Sequence, residues 1–254
     1  RGMHQGSIRV GTSGWSYPHW ARDRFYSSRL RQADWLRFYA ERFSTVEVNM
    51  TFYRMPSAAL VSRWGDATPP HFQFAVKLWR RITHDKRLAD CEDELRRAVD
   101  AVRGLGAKRG PLLVQLPPSM TCDVARLDAF LARLDACSLD LQWRVAVEFR
   151  NKDWLQKAVY EVLNRRGAAL CVADMPRCEI TEPNDAEFVY VRRHGPGGRY
   201  RGCYAPQDVQ NDAERVRAWS AAGRDVYVYY NNDVEGHAID NARQLWEETQ
   251  SVSS

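Results

Sequence analysis

The chain has 254 residues, of which 44% are apolar, so it is long and hydrophobic enough to form one large domain or two small ones. Its formal net charge of +5 permits an anionic partner without requiring one, and no run of lysine and arginine resembles a nucleic-acid-binding tail. No apolar stretch approaches the roughly 20 residues of a membrane-spanning helix, and no segment resembles the apolar core of a signal peptide. We therefore expect no membrane partner.

Six cysteines are spread along the chain, and none of them belongs to a C-x-x-C pair. That spacing disfavours a zinc cluster and is typical of reduced thiols in a protein of the reducing cytosol. The sequence therefore predicts a cytoplasmic location.

Alternating apolar residues, punctuated by glycine and proline, predict eight strands separated mostly by helices. The strands are expected at residues 8–13, 45–49, 72–77, 112–116, 144–149, 169–174, 188–194 and 225–231. The helices are expected at residues 32–43, 57–64, 91–102, 123–137, 152–166, 207–222 and 236–250. Residues 175–186 contain two prolines, so the helix between the sixth and seventh strands is expected to be minimal or missing.

This alternation predicts the α/β class and a single (β/α)8 TIM-barrel domain over residues 8–250. A doubly wound open sheet is the main rival, and it is weakened because no G-x-G-x-x-G motif follows a strand. Residues 1–7 are polar and are expected to be disordered or to come from an expression vector.

The phase of the side chains within the strands supports a barrel. Residues of one parity, such as Val46 and Val48, are bulky and apolar and are expected to face the helices. Residues of the other parity are small or polar, and they are expected to face the barrel axis and to present polar groups at the carboxyl ends of the strands, where TIM-barrel active sites lie. These polar ends are Ser13, Glu47, Asn49, Lys77, Gln115, Glu148, Arg150, Asp174, Arg192, His194 and Asn231.

Charged side chains in this predicted ring are the candidate catalytic groups. Glu47 and Glu148 are expected to act as general acid and base, and His194 is suited to move a proton near neutral pH. Asp174 and Lys77 complete the catalytic set. Convergent charges perturb one another's pKa values, which favours a functional site, but a self-neutralising structural network is the alternative.

Two further kinds of ligand follow from the same ring. Lys77, Arg150 and Arg192 are expected to hold an anion, and residues 195–199 and 231–237 offer a second anion site beside the start of the last helix. A divalent metal held by the ring's carboxylates is allowed but disfavoured, because the three cations would repel it. No motif for an organic cofactor is present.

Aromatic and amide residues follow several strands and are expected to form the rim of the binding site. Trp15, Tyr17 and Tyr53 are the aromatics expected to contact the ligand. The full set of expected substrate-binding residues is Ser13, Trp15, Tyr17, Asn49, Tyr53, Gln115, Arg150, Arg192, Asn231 and Asn232.

Several of these residues belong to motifs through which the chain resembles the YecE-like proteins over nearly its whole length. In chain order the motifs are Gly11-Thr-Ser-Gly-Trp15, Val46-Glu-Val-Asn49, Thr51-Phe-Tyr53, Thr83-His84, Leu113-Val-Gln-Leu-Pro-Pro118, Val147-Glu-Phe-Arg150, Tyr190-Val-Arg192 with His194-Gly195, and Asn231-Asn-Asp233. Arg193 and Asn151 depart from the usual pattern. The resemblance implies a TIM barrel but no particular reaction.

We therefore expect an enzyme that applies hydrolase-like acid/base chemistry to an anionic, phosphate-bearing substrate. The alternatives are a DNA- or RNA-binding protein resembling abasic-site endonucleases, and a glycoside hydrolase that uses Glu47 and Glu148. If Glu148 is catalytic, replacing it with glutamine is expected to abolish turnover and to leave the melting temperature nearly unchanged.

Overall fold

The structure is a computed structural model that describes residues 4–250. Its strands are β1 (Ile8–Thr12), β2 (Thr45–Val48), β3 (Gln73–Lys77), β4 (Arg109–Gln115), β5 (Val145–Glu148), β6 (Ala169–Leu170), β7 (Val172–Met175), β8 (Cys178–Ile180), β9 (Phe188–Arg193) and β10 (Asp225–Tyr230). Its helices are α1 (Trp35–Ala40), α2 (Met50–Tyr53), α3 (Ala58–Asp66), α4 (Glu92–Val102), α5 (Val124–Cys137), α6 (Lys157–Arg166), α7 (Pro206–Ala221) and α8 (His237–Gln250).

The strands form two five-stranded sheets, ordered β2-β3-β4-β5-β6 and β1-β10-β9-β7-β8. Every ladder is parallel except the β7–β8 hairpin. One continuous segment passes from β6 to β7, and the N–H of Cys171 within it donates to the carbonyl of Val147 at 2.8 Å. At the other seam Ser13 and Glu47 form a parallel bridge. The predicted TIM-barrel fold is thereby confirmed.

The connection between the sixth and seventh predicted strands is the expected exception to the alternation. Residues 176–187 carry the short strand β8 and no helix. A tight hairpin replaces the crossover helix, so the prediction of a minimal or missing helix is correct.

Local sequence explains where several helices begin and end. The side chain of Asp123 accepts a hydrogen bond from the N–H of Arg126 and caps α5, as its position before the helix predicts. Helix α6 ends at Gly167, whose φ of +68° is a left-handed conformation that favours glycine. No helix within residues 4–250 combines the length and the apolar character that crossing a bilayer requires.

The barrel interior is filled by a cluster separate from the larger core beneath the helices. Its members are Ala75, Leu113, Ala146, Ala169, Cys171, Ala173, Ala186, Phe188, Tyr190, Tyr227 and Tyr229. Small residues on β3, β5 and the sixth strand leave room for the large rings from β9 and β10. The polar ends of the inward rows lie above this cluster and build the site.

The phase predicted for the sixth strand, in which Val172 and Asp174 face the barrel axis, is wrong. Cys171 and Ala173 belong to the interior cluster, whereas Leu170 and Val172 pack into the outer core. A shift of one residue moves every side chain of a strand to the opposite face. Val172 and Asp174 therefore do not face the barrel axis.

Residues 4–7 of the amino-terminal segment are described by the structure, and two of them are hydrogen-bonded to the barrel. The N–H of Gly6 donates to the carbonyl of Ser220 at 2.8 Å, and the N–H of Ser7 donates to Oδ1 of Asp225 at 2.9 Å. Residues 1–3 lie outside the described part of the chain. All six cysteines are free, in agreement with the predicted thiols.

Candidate functional site

A buried guanidinium group joins the two predicted catalytic glutamates. Nη2 of Arg192 donates to Oε1 of Glu47 at 2.7 Å, and Nη1 donates to Oε1 of Glu148 at 3.0 Å. All three side chains are almost completely buried. The sequence brings one residue each from the ends of β2, β5 and β9 into a Glu–Arg–Glu bridge across the barrel.

Glu47 accepts hydrogen bonds from several further donors. The hydroxyl of Ser13 donates to Oε1 at 2.8 Å, and the amide of Asn49 donates to the same oxygen at 3.0 Å. The hydroxyl of Tyr190 donates to Oε2 at 2.5 Å. Burial acts to raise the pKa of Glu47, but the charge of Arg192 and these donors outweigh burial and hold the pKa below its usual range.

Glu148 is equally well satisfied. Its Oε1 accepts from the Gln115 amide at 2.7 Å and from Nη2 of Arg150 at 3.1 Å, while its Oε2 lies 3.0 Å from Nε2 of His194. Burial opposes ionisation here too, but the charges of Arg150 and Arg192 hold the pKa of Glu148 well below its usual range.

Both glutamates are therefore buried carboxylates that stay ionised near neutral pH. A general acid must carry a proton and must reach the substrate, and neither condition favours these two groups. Their geometry suits them to orient Arg192 and Arg150. The acid/base assignment of Glu47 and Glu148 stays a prediction that the site itself does not favour.

Asp174 lies outside this bridge, as the phase correction requires. Its Oδ1 accepts from the N–H of His194 at 2.7 Å, and its Oδ2 accepts from the hydroxyl of Tyr204. It orders the backbone after β9 and is not part of the inward ring. The ring consequently contains two carboxylates against Lys77, Arg150 and Arg192, and its charges no longer cancel.

His194 is completely buried between Glu148 and Asn231. Because a carboxylate only accepts hydrogen bonds, the short contact assigns the proton to Nε2, which leaves Nδ1 at 3.4 Å from the Asn231 amide nitrogen. Burial lowers the pKa of His194 despite the neighbouring Glu148. A neutral, enclosed imidazole acts as a positioning group for Glu148.

An open pocket of about 510 Å³ lies at the carboxyl ends of the strands, directly above the bridge. We call it the cationic pocket. Its lining residues are Tyr17, Asn49, Phe52, Tyr53, Lys77, Arg80, His84, Gln115, Arg150, Arg192, Tyr200 and Asn231. The described lining thus includes four lysine or arginine side chains and no carboxylate.

Lys77 is the most unusual group in the cationic pocket. Its Nζ lies 4.0 Å from the centre of the Phe52 ring rather than against a carboxylate. Burial, together with the charges of Arg192 and Arg150, lowers its pKa to about 7, although Glu148 and Glu47 oppose the shift. Lys77 is therefore the lining amine that changes its protonation near neutral pH.

Four lining residues are absent from the sequence-based site. They are Phe52, Arg80, His84 and Tyr200. Arg80 and His84 flank or lie in a π-helical turn (Arg81–Asp85), a geometry that is frequent at functional sites. Tyr200 is brought in by the glycine-rich loop, and its hydroxyl accepts from Nη1 of Arg150 at 3.3 Å. The Thr51-Phe-Tyr53 and Thr83-His84 motifs are the sequence signals for Phe52 and His84.

The predicted rim residues are distributed between several places. Tyr17 and Tyr53 line the cationic pocket, and Trp15 lines a neighbouring one. Ser13 lies beneath the pocket against Glu47. Asn232 is buried away from it, and its amide donates to the carbonyl of Gly202 and to Oδ1 of Asn241, each at 2.9 Å.

The predicted metal site and the predicted second anion site are less well supported by the structure than the cationic pocket. Arg192 occupies the position between Glu47 and Glu148 that a shared metal ion would take, and residues 4–250 contain no cluster of three or more His, Cys, Asp or Glu able to hold one. At the proposed second anion site, Asp233 and Glu235 precede α8 and disfavour an anion.

The chain is similar in sequence to one family of known proteins over nearly its whole length. The profile of the family described as "Protein of unknown function DUF72" matches residues 9–253. The chain is 26% identical over 271 aligned positions to the UPF0759 protein YunF of Bacillus subtilis, covering 94% of each chain. It is 31% identical over 194 positions to the UPF0759 protein YecE of Escherichia coli K12, covering 74% of this chain and 67% of that one.

Two solved structures of DUF72 family proteins resemble this chain over nearly its whole length. A DUF72 family protein from Thermotoga maritima superposes with a TM-score of 0.84 and 26% identity, covering 96% of this chain and all of that one. A DUF72 family protein from Enterococcus faecalis superposes with a TM-score of 0.79 and 21% identity, covering 98% of this chain and all of that one. The site described above therefore lies in a chain that belongs to the DUF72 family.

Proposed function

We propose that the protein is an enzyme that binds a small anionic substrate, most simply a phosphate ester, in the cationic pocket. One observation carries the proposal. Lys77, Arg80, Arg150 and Arg192 line the pocket, while the acidic partners Glu47 and Glu148 lie beneath it. An anion entering the pocket meets cations without an opposing carboxylate on the described surface.

The charge balance around the bridge supports an anionic ligand. Arg192 directs its guanidinium nitrogens to Glu47 and Glu148, so its charge is already compensated. Arg150 shares Glu148 with it, and its Nε is buried without a hydrogen-bond partner. Lys77 and Arg150 are then the groups available to a phosphate, together with Arg80, whose ion pair with Asp85 is long at 3.9 Å, and Arg192 serves to hold the two glutamates.

Lys77 is the residue we assign to proton transfer. A group whose pKa is about 7 exchanges protons with least cost at neutral pH, as general acid/base chemistry requires. Its position on the pocket wall gives it access to a bound ester. The glutamates support this role indirectly, because their charges counteract part of the fall in its pKa.

Sulfate binding tests the anion site and the titration of Lys77 together. Sulfate keeps its double negative charge between pH 6 and pH 8, whereas Lys77 loses its proton as the pH rises through about 7. We expect calorimetric titration at fixed ionic strength to give an affinity about tenfold lower at pH 8 than at pH 6, from the change in protonated fraction. His84, whose pKa is lowered to about 4, stays neutral over this range.

A Lys77→Met variant provides the control, because any pH dependence that remains in it belongs to other groups such as Asp233, whose pKa burial raises to about 6. No measurable sulfate binding to the unmodified protein at pH 6 would remove the anion site. Catalysis is read as release of inorganic phosphate from a panel of phosphate monoesters. Sulfate binding without release from any of them would contradict the enzymatic part of the proposal.

Binding of single-stranded nucleic acid is the second candidate, supported by exposed aromatic rings beside the cations. Tyr53 and Tyr200 are 68% and 41% exposed and lie on the rim with Arg80. This function predicts that the affinity for an oligonucleotide falls steeply with salt and that Tyr53→Ala weakens it. An absence of retention on DNA and RNA at 50 mM salt would exclude it. The glycoside hydrolase alternative is not supported, because Arg192 lies between the two glutamates.

A further inference from the structure

A second, largely apolar pocket adjoins the cationic pocket and is not used by the function proposed above. Its volume is about 670 Å³. We call it the apolar pocket. Its lining residues are Gly14, Trp15, Ser16, Tyr17, Gln32, Ala33, Leu36, Val48, Asn49, Met50, Arg54, Leu60, Arg63, Trp64 and Ala67. Small-molecule sites typically combine such an apolar wall with a few polar anchors.

The two pockets share a common wall, which makes them neighbouring parts of one larger site. Tyr17 and Asn49 line both of them. The hydroxyl of Tyr17 donates to the carbonyl of Ser13 at 2.5 Å, and its ring packs 4.7 Å from that of Trp20. The wall is therefore held in place by β1 and the turn after it. Tyr17 and Asn49 are therefore the residues past which a ligand occupying both pockets has to extend.

The surface of the apolar pocket suits a flat ring. Trp15 and Trp64 meet edge to face at 5.6 Å between ring centres, and Leu60 from α3 adds an aliphatic wall. The charged residues in the described lining are Arg54 and Arg63, both basic. Neither pocket therefore presents a carboxylate that repels an anionic ligand extending across both.

We propose that the apolar pocket is a subsite for a ring attached to the anionic group, so that the substrate class is an aryl or nucleobase-bearing phosphate. This inference rests on the proposed anion site. Removing an aromatic ring from water contributes affinity roughly in proportion to the apolar area buried. Because the pocket is already formed, little of that contribution is lost in ordering the protein.

Comparison of three phosphates tests the subsite. We expect phenyl phosphate to bind at least about tenfold more tightly than inorganic phosphate, from burial of the ring. Glycerol 3-phosphate adds polar bulk of similar size and is expected to gain no such advantage. Calorimetric titration at pH 6 gives all three dissociation constants, and each is expressed per dianion because the second ionisation of a phosphate group falls near this pH and differs between the three.

Two substitutions restrict the test to the apolar pocket. Ala33 is exposed on the lining, so Ala33→Trp fills the pocket without removing any packing; Leu60→Ser makes its wall polar. Both are expected to bring phenyl phosphate within about twofold of inorganic phosphate. Trp246→Ala is the control, because Trp246 lines a different pocket with Val10 and Phe43. We expect Trp246→Ala to bind phenyl phosphate more tightly than inorganic phosphate by the same factor as the unmodified protein.

The outcomes separate the subsite from the anion site. If inorganic phosphate binds and phenyl phosphate binds no better, the subsite is wrong and the anion site stands. The subsite is equally wrong if the phenyl phosphate advantage survives Ala33→Trp. If none of the three phosphates binds, the anion site itself fails and this inference fails with it.

Discussion

Replacing Arg192 with methionine is expected to lower the free energy of unfolding by about 3–5 kcal/mol. The substitution leaves Glu47 and Glu148 completely buried at the barrel axis without the cation that lies between them. Both carboxylates are completely buried beneath the cationic pocket, so their desolvation is not compensated by water. Urea denaturation monitored by tryptophan fluorescence measures the difference.

Arg31→Met is the matched control for this prediction. Arg31 is exposed and pairs with Asp34 across one turn, and surface pairs of this kind contribute at most about 1 kcal/mol. Equal free energies of unfolding for Arg192→Met and Arg31→Met would show that the Glu–Arg–Glu bridge does not stabilise the barrel. Adding Glu47→Gln and Glu148→Gln to Arg192→Met is expected to restore part of the loss, because it removes two buried negative charges that have both lost the guanidinium group of Arg192.

The same burial changes the expectation for Glu148→Gln. The sequence alone predicts that a catalytic Glu148 can be replaced by glutamine with the melting temperature nearly unchanged. Glu148 accepts hydrogen bonds from Arg150, Arg192 and Gln115 on one oxygen, and glutamine would place a neutral group against both guanidinium groups. We therefore expect Glu148→Gln to lose both turnover and stability. Arg192→Met is the better variant for measuring how much the Glu–Arg–Glu bridge stabilises the barrel.

The second large effect is expected from the double variant Lys77→Met/Arg150→Met, which removes two charged lining groups of the cationic pocket. Each charge-assisted hydrogen bond contributes about 1.5–3 kcal/mol, so the pair is expected to lower sulfate affinity by roughly 10²–10⁴-fold at pH 6. Lys77 is protonated at that pH because its pKa is about 7. Calorimetric titration measures the loss.

Lys157→Met/Arg165→Met is the control with the same change in net charge. Both residues lie on α6, where the Lys157 side chain is 91% exposed. Its sulfate affinity is expected to stay within about twofold of the unmodified protein, because exposed charges are screened beyond roughly 10 Å. An equal loss in both double variants would mean that sulfate responds to overall charge and not to the cationic pocket.

The strand order and most strand phases could be predicted because they are short-range properties of the chain. Val46 and Val48 alternate with Glu47 on β2, and the same period of two recurs on β5 and β9. The side-chain directions predicted for the sixth strand are wrong because Ala169, Cys171 and Ala173 are small on one face, while the polar Asp174 ends the other face. Had bulk decided the phase there, as elsewhere, Leu170 and Val172 would have been assigned outward.

The composition of the pocket was predictable only in part. Lys77, Arg150 and Arg192 follow from strand phase, because they end inward rows. Arg80 and Tyr200 reach the pocket from loops, where side-chain direction depends on the packing of the connection and no periodicity applies.

By itself, the sequence determined the barrel, its missing helix and the polar strand ends other than Asp174, since each depends on local alternation and turn residues. Tertiary structure alone decided what those ends do. Glu47 and Glu148 lie 145 and 44 residues from Arg192 along the chain, and only folding pairs them through it. The charges of Arg192 and Arg150 hold both carboxylates ionised despite their burial, and burial lowers the pKa of Lys77 above them. Charge, desolvation and access are properties of the assembled barrel, because each depends on neighbours that are distant in sequence.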